Sequence, residues 1–303
     1  MYQSRRTFIK NMAKAGAVAS ILPGTLAEAK SKNLFFDISL AEWSLNKSLF
    51  GGKLTNLEFP IKAKNDYGIS AVEYVNQFFK DKAGDMNYLR ELKKRTDDHG
   101  VENVLIMIDR EGQLANLNDK ERIQAVENHY KWVDAAKFLG CHSIRVNAAG
   151  KGCREDVMQA AVDGLGQLIE YSEKAGINII VENHGGFSSD GQWLSSVMKQ
   201  LNNSFGGSLP DFGNFKIRKN VFYDKYEGVK DLMPYAKGVS AKSHDFDENG
   251  NETNTDFGKM LQIVKDAGYK GYIGVEYEGK NLSEDEGIMA TKRLLEKIGS
   301  RLS

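Results

Sequence analysis

Short apolar runs recur along the chain, each closed by a polar or turn-forming residue. Leu34–Leu40, Ile69–Val75, Val104–Ile108, Ser143–Asn147 and Ile177–Val181 have this form, and weaker runs lie near Leu209, at Gly238–Lys242 and at Gly271–Val275. Runs of this length, bounded by turn residues and rich in β-branched side chains, suit parallel strands covered on both faces. Between them lie stretches of helical period. Asp119–Leu139 repeats apolar residues at Ile123, Val126, Tyr130 and Val133, with Asn118 or Asp119 to cap it and Gly140 to stop it. Val157–Ala175 turns Leu165, Leu168 and Ile169 to one side and ends at Gly176, and Gln192–Leu201, Asp256–Ala267 and Met289–Ile298 are further helices. Leu45–Tyr67 has little regular pattern and is expected to be a long loop.

Eight strands alternating with helices fit either an open doubly wound sheet or a closed barrel, and the count favours an α/β fold of the (β/α)8 TIM barrel type. No Gly-x-Gly-x-x-Gly follows the first strand and no phosphate-loop lysine motif occurs, which lowers the nucleotide-binding alternatives.

Charge and the N-terminus add a second layer. Among 303 residues, Lys plus Arg and Asp plus Glu are each 41, a balance that excludes a strongly basic nucleic-acid binder. Two cysteines, Cys141 and Cys153, make no disulfide scaffold and are expected to be free thiols. The first residues combine an Arg5-Arg6 pair, a mildly apolar stretch from Ala13 to Leu22, and small residues at Ala27 and Ala29. This is the layout of an export leader, too short in its apolar part to span a bilayer. Ser4-Arg5-Arg6-Thr7-Phe8-Ile9-Lys10 resembles the bacterial twin-arginine motif. The expected organisation is a signal peptide over residues 1–29 and one barrel over 30–303, exported to the periplasm by the twin-arginine machinery, with no stable membrane insertion. Loss of the leader, with four basic residues and one acid, would leave the mature chain at −3.

Candidate chemistry sits at the ends of the later strands, where barrels gather their reactive groups. Glu182 and His184 follow the fifth, Asp211 the sixth, Lys242 and His244 the seventh, Glu276 and Glu278 the eighth. Neighbouring strands lie close to 5 Å apart, so these groups can meet around one ion. Three carboxylates and an imidazole are a hard oxygen and nitrogen set, suited to Mn²⁺, Mg²⁺ or Zn²⁺. Arg145 and Asn147 end the fourth strand, and Glu73 near the end of the second and Trp43 after the first are expected pocket walls. His99, His129 and His142 have structural positions.

The segments Glu182-Asn183-His184-Gly185-Gly186, Asp211-Phe212-Gly213-Asn214 and Gly274-Val275-Glu276 resemble the xylose-isomerase-like TIM-barrel superfamily of sugar-phosphate isomerases and epimerases. The resemblance implies a divalent ion held by Glu182, Asp211, a strand-seven histidine and Glu276, with the two glutamates exchanging a substrate proton. It places the strand-seven slot at Ser240, two residues before Lys242, whereas His244 lies two residues after it; either His244 substitutes or the site is depleted. Asn214 stands where the family often has histidine, and is a candidate substrate contact. The implied function is a metal-assisted isomerase or epimerase acting on a sugar or keto-sugar through an enediolate. His184 and Lys242 would assist as a proton donor or acceptor and as a cation beside the developing alkoxide. The alternatives are a keto-sugar dehydratase or lyase, and a non-catalytic exported carbohydrate-binding protein.

Overall fold

The computed structural model describes residues 34–303. The proposed leader, with its arginine pair, lies outside them. Eight parallel strands are laid out as β1 (Asp37–Ala41), β2 (Ala71–Val75), β3 (Glu102–Met107), β4 (Ser143–Val146), β5 (Asn178–Glu182), β6 (Gly206–Leu209), β7 (Val239–Ser243) and β8 (Tyr272–Tyr277). Each pairs with its sequence neighbours except β6 and β7, which are the two ends of the sheet, and β1 lies between β2 and β8. Closure between β6 and β7 is looser. Pro210 has no N–H to give, and the join is made by Lys237 N–H donating to Ser208 O (3.0 Å), Ser240 N–H to Pro210 O (2.9 Å) and Phe212 N–H to Ser240 O (3.1 Å). The result is the (β/α)8 TIM barrel.

Eight longer helices surround it: α1 (Phe59–Tyr67), α2 (Met86–His99), α3 (Asp119–Leu139), α4 (Arg154–Ser172), α5 (Gly191–Leu201), α6 (Lys225–Leu232), α7 (Phe257–Asp266) and α8 (Glu284–Leu302). The Asn118 carboxamide caps α3 by accepting from Lys120 N and Glu121 N, and Gly140 ends it with φ at 87°. The buried face of α3 runs through Ala125, His129, Trp132, Ala136 and Leu139, while Ile123, expected on that face, is exposed. Leu165, Leu168 and Ile169 of α4 are buried as expected.

Three of the longer helices, and one short one, escaped the periodicity. The expected loop from Leu45 to Tyr67 contains a short helix (Asn46–Phe50) and α1, whose entry is set by Glu58 accepting from both the N–H and the hydroxyl of Thr55. In α2, a narrow stripe of Leu89, Leu92 and Thr96 is hidden among charges. The third, α6, is only eight residues long and buries Gly228, Val229 and Leu232. Cys141 is buried, Cys153 is exposed, and both are free thiols.

The core is split by the sheet. Outward strand residues such as Leu40, Val72, Ile106, Val181 and Val275 join the helices in the larger apolar cluster. Inside the barrel a smaller one, including Ala41, Leu105, Met107, Ile180 and Leu209, shares its space with buried charge. Because side chains alternate along a strand, the inward positions two apart carry that charge: Ser240 and Lys242 on β7, Gly274 and Glu276 on β8, Ser143 and Arg145 on β4.

Candidate active site

At the C-terminal end of the barrel the carboxylates of Glu182, Asp211 and Glu276 converge. One oxygen from each lies within 4.8 Å of the others, and all three residues are buried. Asp211 is locked in place on every side. Its backbone N–H donates to Asn183 Oδ1 (2.7 Å), its Oδ1 accepts from the N–H groups of Gly213 (2.8 Å) and Asn214 (2.7 Å), and its Oδ2 accepts from the Ser240 hydroxyl (2.8 Å). Ser240 Oγ also lies 2.9 Å from Glu276 Oε2. A hydroxyl has one proton to give, so serving both carboxylates requires one of them to carry a proton of its own.

Two buried cations flank the cluster. Lys242 Nζ stands 3.2 Å from Glu276 Oε1, 3.0 Å from Glu278 Oε1 and 3.8 Å from Asp211 Oδ2. Arg145 Nε stands 2.7 Å from Glu182 Oε2, and its Nη1 donates to Asp109 Oδ1 at 2.9 Å. Asn214 spans the gap, donating to Glu182 Oε1 (2.9 Å) and accepting from Lys242 Nζ (3.3 Å).

The charge balance sets the protonation states. Burial raises Glu182 to about 7 against the pull of Arg145. Burial likewise raises Asp211 to about 7, opposed by Lys242 and reinforced by the charges of Glu182 and Glu276. Glu276 goes the other way: burial is outweighed by Lys242 and Arg145, which hold it below the usual carboxylate range. Lys242, despite burial, is held cationic by Asp211 and Glu276. Like charges this close do not all ionise.

A cavity of about 430 Å³ opens above these groups, lined by Trp43, Val75, Gln77, Asp109, Arg110, Arg145, His184, Asn214, Lys242, Glu276 and Glu278. His184 is exposed on its wall, and partial desolvation followed by the charges of Arg145 and Lys242 keeps its pKa below the ordinary imidazole value. Trp43, Arg145, Asn214, His184 and Lys242 are thus brought together on one cavity wall.

Three expected residues stand elsewhere. His244 is half-buried beyond the end of β7, its N–H bound to Glu252, and it joins neither the carboxylate cluster nor the cavity wall. The slot that faces Asp211 and Glu276 belongs to Ser240, because β7 alternation turns positions 240 and 242 inward and His244 lies past the strand. Glu73 is buried within the barrel, bound by the Ser39 hydroxyl, and does not line the cavity; burial raises its pKa to about 8. Asn147 is one step behind the wall, donating to Asp109 Oδ1 at 2.8 Å.

Asp109 was missed as a site residue, although its position directly after an apolar strand was the available signal. Burial works against its ionisation, but Arg145 and Asn147 hold it down at about 2. Ser240 and Gln77 carried no chemical signal of their own. Glu42, behind Trp43, is fully buried, accepts from Asn56 (2.9 Å) and Val75 N (2.8 Å), and is raised by burial to about 8.

A family model described as xylose isomerase-like TIM barrel matches residues 61–298. The chain belongs to that family. Among curated proteins, the chain is 34% identical over 109 residues to the 3'-dehydrocarminate deglycosidase alpha subunit of a Microbacterium species, a stretch covering 33% of this chain and 30% of that protein. It is 38% identical over 66 residues to the C-glycoside deglycosidase alpha subunit of Arthrobacter globiformis, covering 21% and 19%. The chain thus matches less than a third of the length of either relative. Similar solved structures include the IolI protein with a bound zinc atom (TM-score 0.66, 15% identity, 88% of this chain and 99% of that one). A xylose isomerase-like barrel from Mycobacterium smegmatis in complex with magnesium (0.64, 14%, 88% and 98%) is another. The E. coli 3-keto-D-glucoside 4-epimerase (0.62, 11%, 87% and 99%) is a third. At these identities the structural likeness is one of fold.

The carboxylate cluster fits a divalent cation in donor type. Three hard oxygen ligands converge, and two of them are disfavoured as anions without added positive charge. Ser240 stands where the resemblance led one to expect a histidine, and the grouped oxygens come from carboxylates alone.

Proposed function

We propose that this chain is a sugar isomerase or epimerase that removes a proton next to the carbonyl of a keto-sugar. The observation that carries the reading is the meeting of Glu182, Asp211 and Glu276 from three strand ends, with Lys242 Nζ 3.2 Å from Glu276. Glu182, Asp211 and Glu276 would hold a divalent ion, which supplies Lewis-acid stabilisation of an enediolate when bound. Glu276, kept ionised by its cations, takes the α-proton. Glu182, across the cluster from it, returns one. Proton return to the opposite face gives epimerisation, and return to the neighbouring carbon gives isomerisation. Lys242 balances the developing oxyanion and Asn214 orients Glu182.

A second reading is elimination, in which the same first step is followed by loss of a β-leaving group. The deglycosidase subunits among the sequence relatives favour it, and neutral His184 on the cavity wall is placed to act on a leaving oxygen. Incubation of the full chain with a 3-keto-glucoside in D2O tests both. Deuterium entering the recovered sugar supports the first reading, release of the aglycone the second, and neither sinks the proton-abstraction chemistry. E276Q is expected to lower the rate of either outcome by roughly 10²–10⁴.

We also infer export from the Ser4–Lys10 segment. Substituting Arg5→Lys and Arg6→Lys together is expected to leave the precursor inside the cell; unchanged secretion would refute the leader.

A further inference from the structure

The reaction cavity does not end at the acid cluster. Trp43 lines it and also lines a neighbouring cavity of about 190 Å³, bounded by Ser44, Asn46, Lys47, Tyr277, Glu278 and Glu284. On the rim beside Trp43 stand two more rings. Phe50 lies 6.0 Å from Trp43, edge-on, and 4.9 Å from Phe78, which is itself 6.1 Å from Trp43. Phe50 is 61% exposed. A lone exposed phenylalanine needs no explanation, but this one completes a three-ring surface that begins at Trp43, a wall of the reaction cavity. It is also held firmly. The short helix that carries it is anchored at its start by Glu284, which accepts from Lys47 N (2.7 Å) and Ser48 N (3.2 Å).

We infer that Trp43, Phe50 and Phe78 form a subsite for an aromatic aglycone, so that the substrate is an aryl glycoside whose sugar ring sits at the carboxylate cluster. The inference rests on the keto-sugar reading above and extends it. An aromatic occupant is favoured over a second sugar because the polar groups lining the smaller cavity beside Trp43 are engaged within the protein. Asn46 donates to Trp43 O, Lys47 Nζ to Gly279 O, and Glu284 is spent on the short helix. Beside those groups the faces of Trp43, Phe50 and Phe78 offer ring surface, which pairs best with another ring. The main cavity lies within the roughly 300–1,000 Å³ of sites that enclose ligands larger than one sugar.

The test is calorimetric titration of the full chain with phenyl glucoside, methyl glucoside and cellobiose, none of which has a ketone to react. Phenyl glucoside is expected to bind roughly threefold to tenfold more tightly than methyl glucoside. F50A should abolish that preference, and F50W should keep it. Equal affinity for phenyl and methyl glucosides, a preference untouched by F50A, cellobiose binding as tightly as the phenyl compound, or no binding by any of the three would each overturn the subsite. The D2O experiment is run in parallel on the same preparation. Exchange without a phenyl preference removes the subsite and leaves the chemistry, whereas a phenyl preference without exchange or aglycone release removes the chemistry and leaves the subsite.

Discussion

At the scale of single residues, the site is a problem in where protons reside. Glu182 and Asp211 have folded-state pKa values near 7, raised by burial from the ordinary carboxylate range. A raised carboxyl binds its proton more tightly folded than unfolded. Between roughly pH 4 and pH 7 the folded state then carries the extra protons, and stability falls as pH rises through that window. Glu42 and Glu73, raised to about 8, extend the decline upward. The metal-free protein is therefore expected to melt at a higher temperature at pH 5.5 than at pH 8, and D211N should flatten part of that slope. A melting temperature that rises steadily to pH 8 in the absence of metal would contradict these assignments. Glu182 and Glu276 were legible in the sequence because each closes a buried strand with a charge. Ser240 was noticed only as the place where a histidine was missing, since a serine announces no chemistry until its neighbours are known.

Between elements, strand register decides which side chains can share the barrel interior. Ser39 pairs with Gly274 across β1 and β8, and Glu73 of β2 reaches over both. A Cβ at position 274 would come within 2.7 to 2.9 Å of the Glu73 carboxyl atoms, so glycine there is a condition for burying that acid. G274A is expected to destabilise the protein by about 1–3 kcal/mol, the usual cost of overpacking a filled interior. The penalty should shrink in an E73A background, where the obstructing carboxyl is gone, and thermal melting of the two single variants and the double variant measures that coupling. Helices were readable where their apolar face was broad, as in α4. They were missed where charges crowd a narrow stripe, as in α2, or where the helix is short and its buried residues few, as in α1 with Phe59, Ala63 and Tyr67.

For the molecule as a whole, the barrel is a device for holding surplus negative charge in one place. Six acids (Glu73, Asp109, Glu182, Asp211, Glu276 and Glu278) gather around two cations, Arg145 and Lys242. Folding brings them together against their repulsion, and a divalent cation that bound only the folded state would offset it. Adding Mn²⁺, Mg²⁺ or Zn²⁺ to EDTA-treated protein at pH 7.5 is expected to stabilise it by about 2.7 kcal/mol when the ion is at a hundred times its dissociation constant. In a melting experiment that is a rise of several degrees. The rise should be smaller at pH 5.5, where protons compete for the same oxygens, and absent in D211N. No stabilisation by any of the three ions at neutral pH would mean that Lys242 and Arg145 alone serve the cluster.

The chain's hydrophobic pattern was enough to specify eight strands, most of their helices and the barrel they close, because burial on two faces and on one face leave different periods in the sequence. Strand ends also marked three of the carboxylates, since a charge has few reasons to follow a fully buried run. The company those carboxylates keep was decided only in three dimensions. That Ser240 faces them and His244 does not, that Lys242 and Arg145 are buried beside them, and that Phe50 joins Trp43 at the rim all depend on strand register and on segments far apart in sequence, and no local pattern encodes a distance between them.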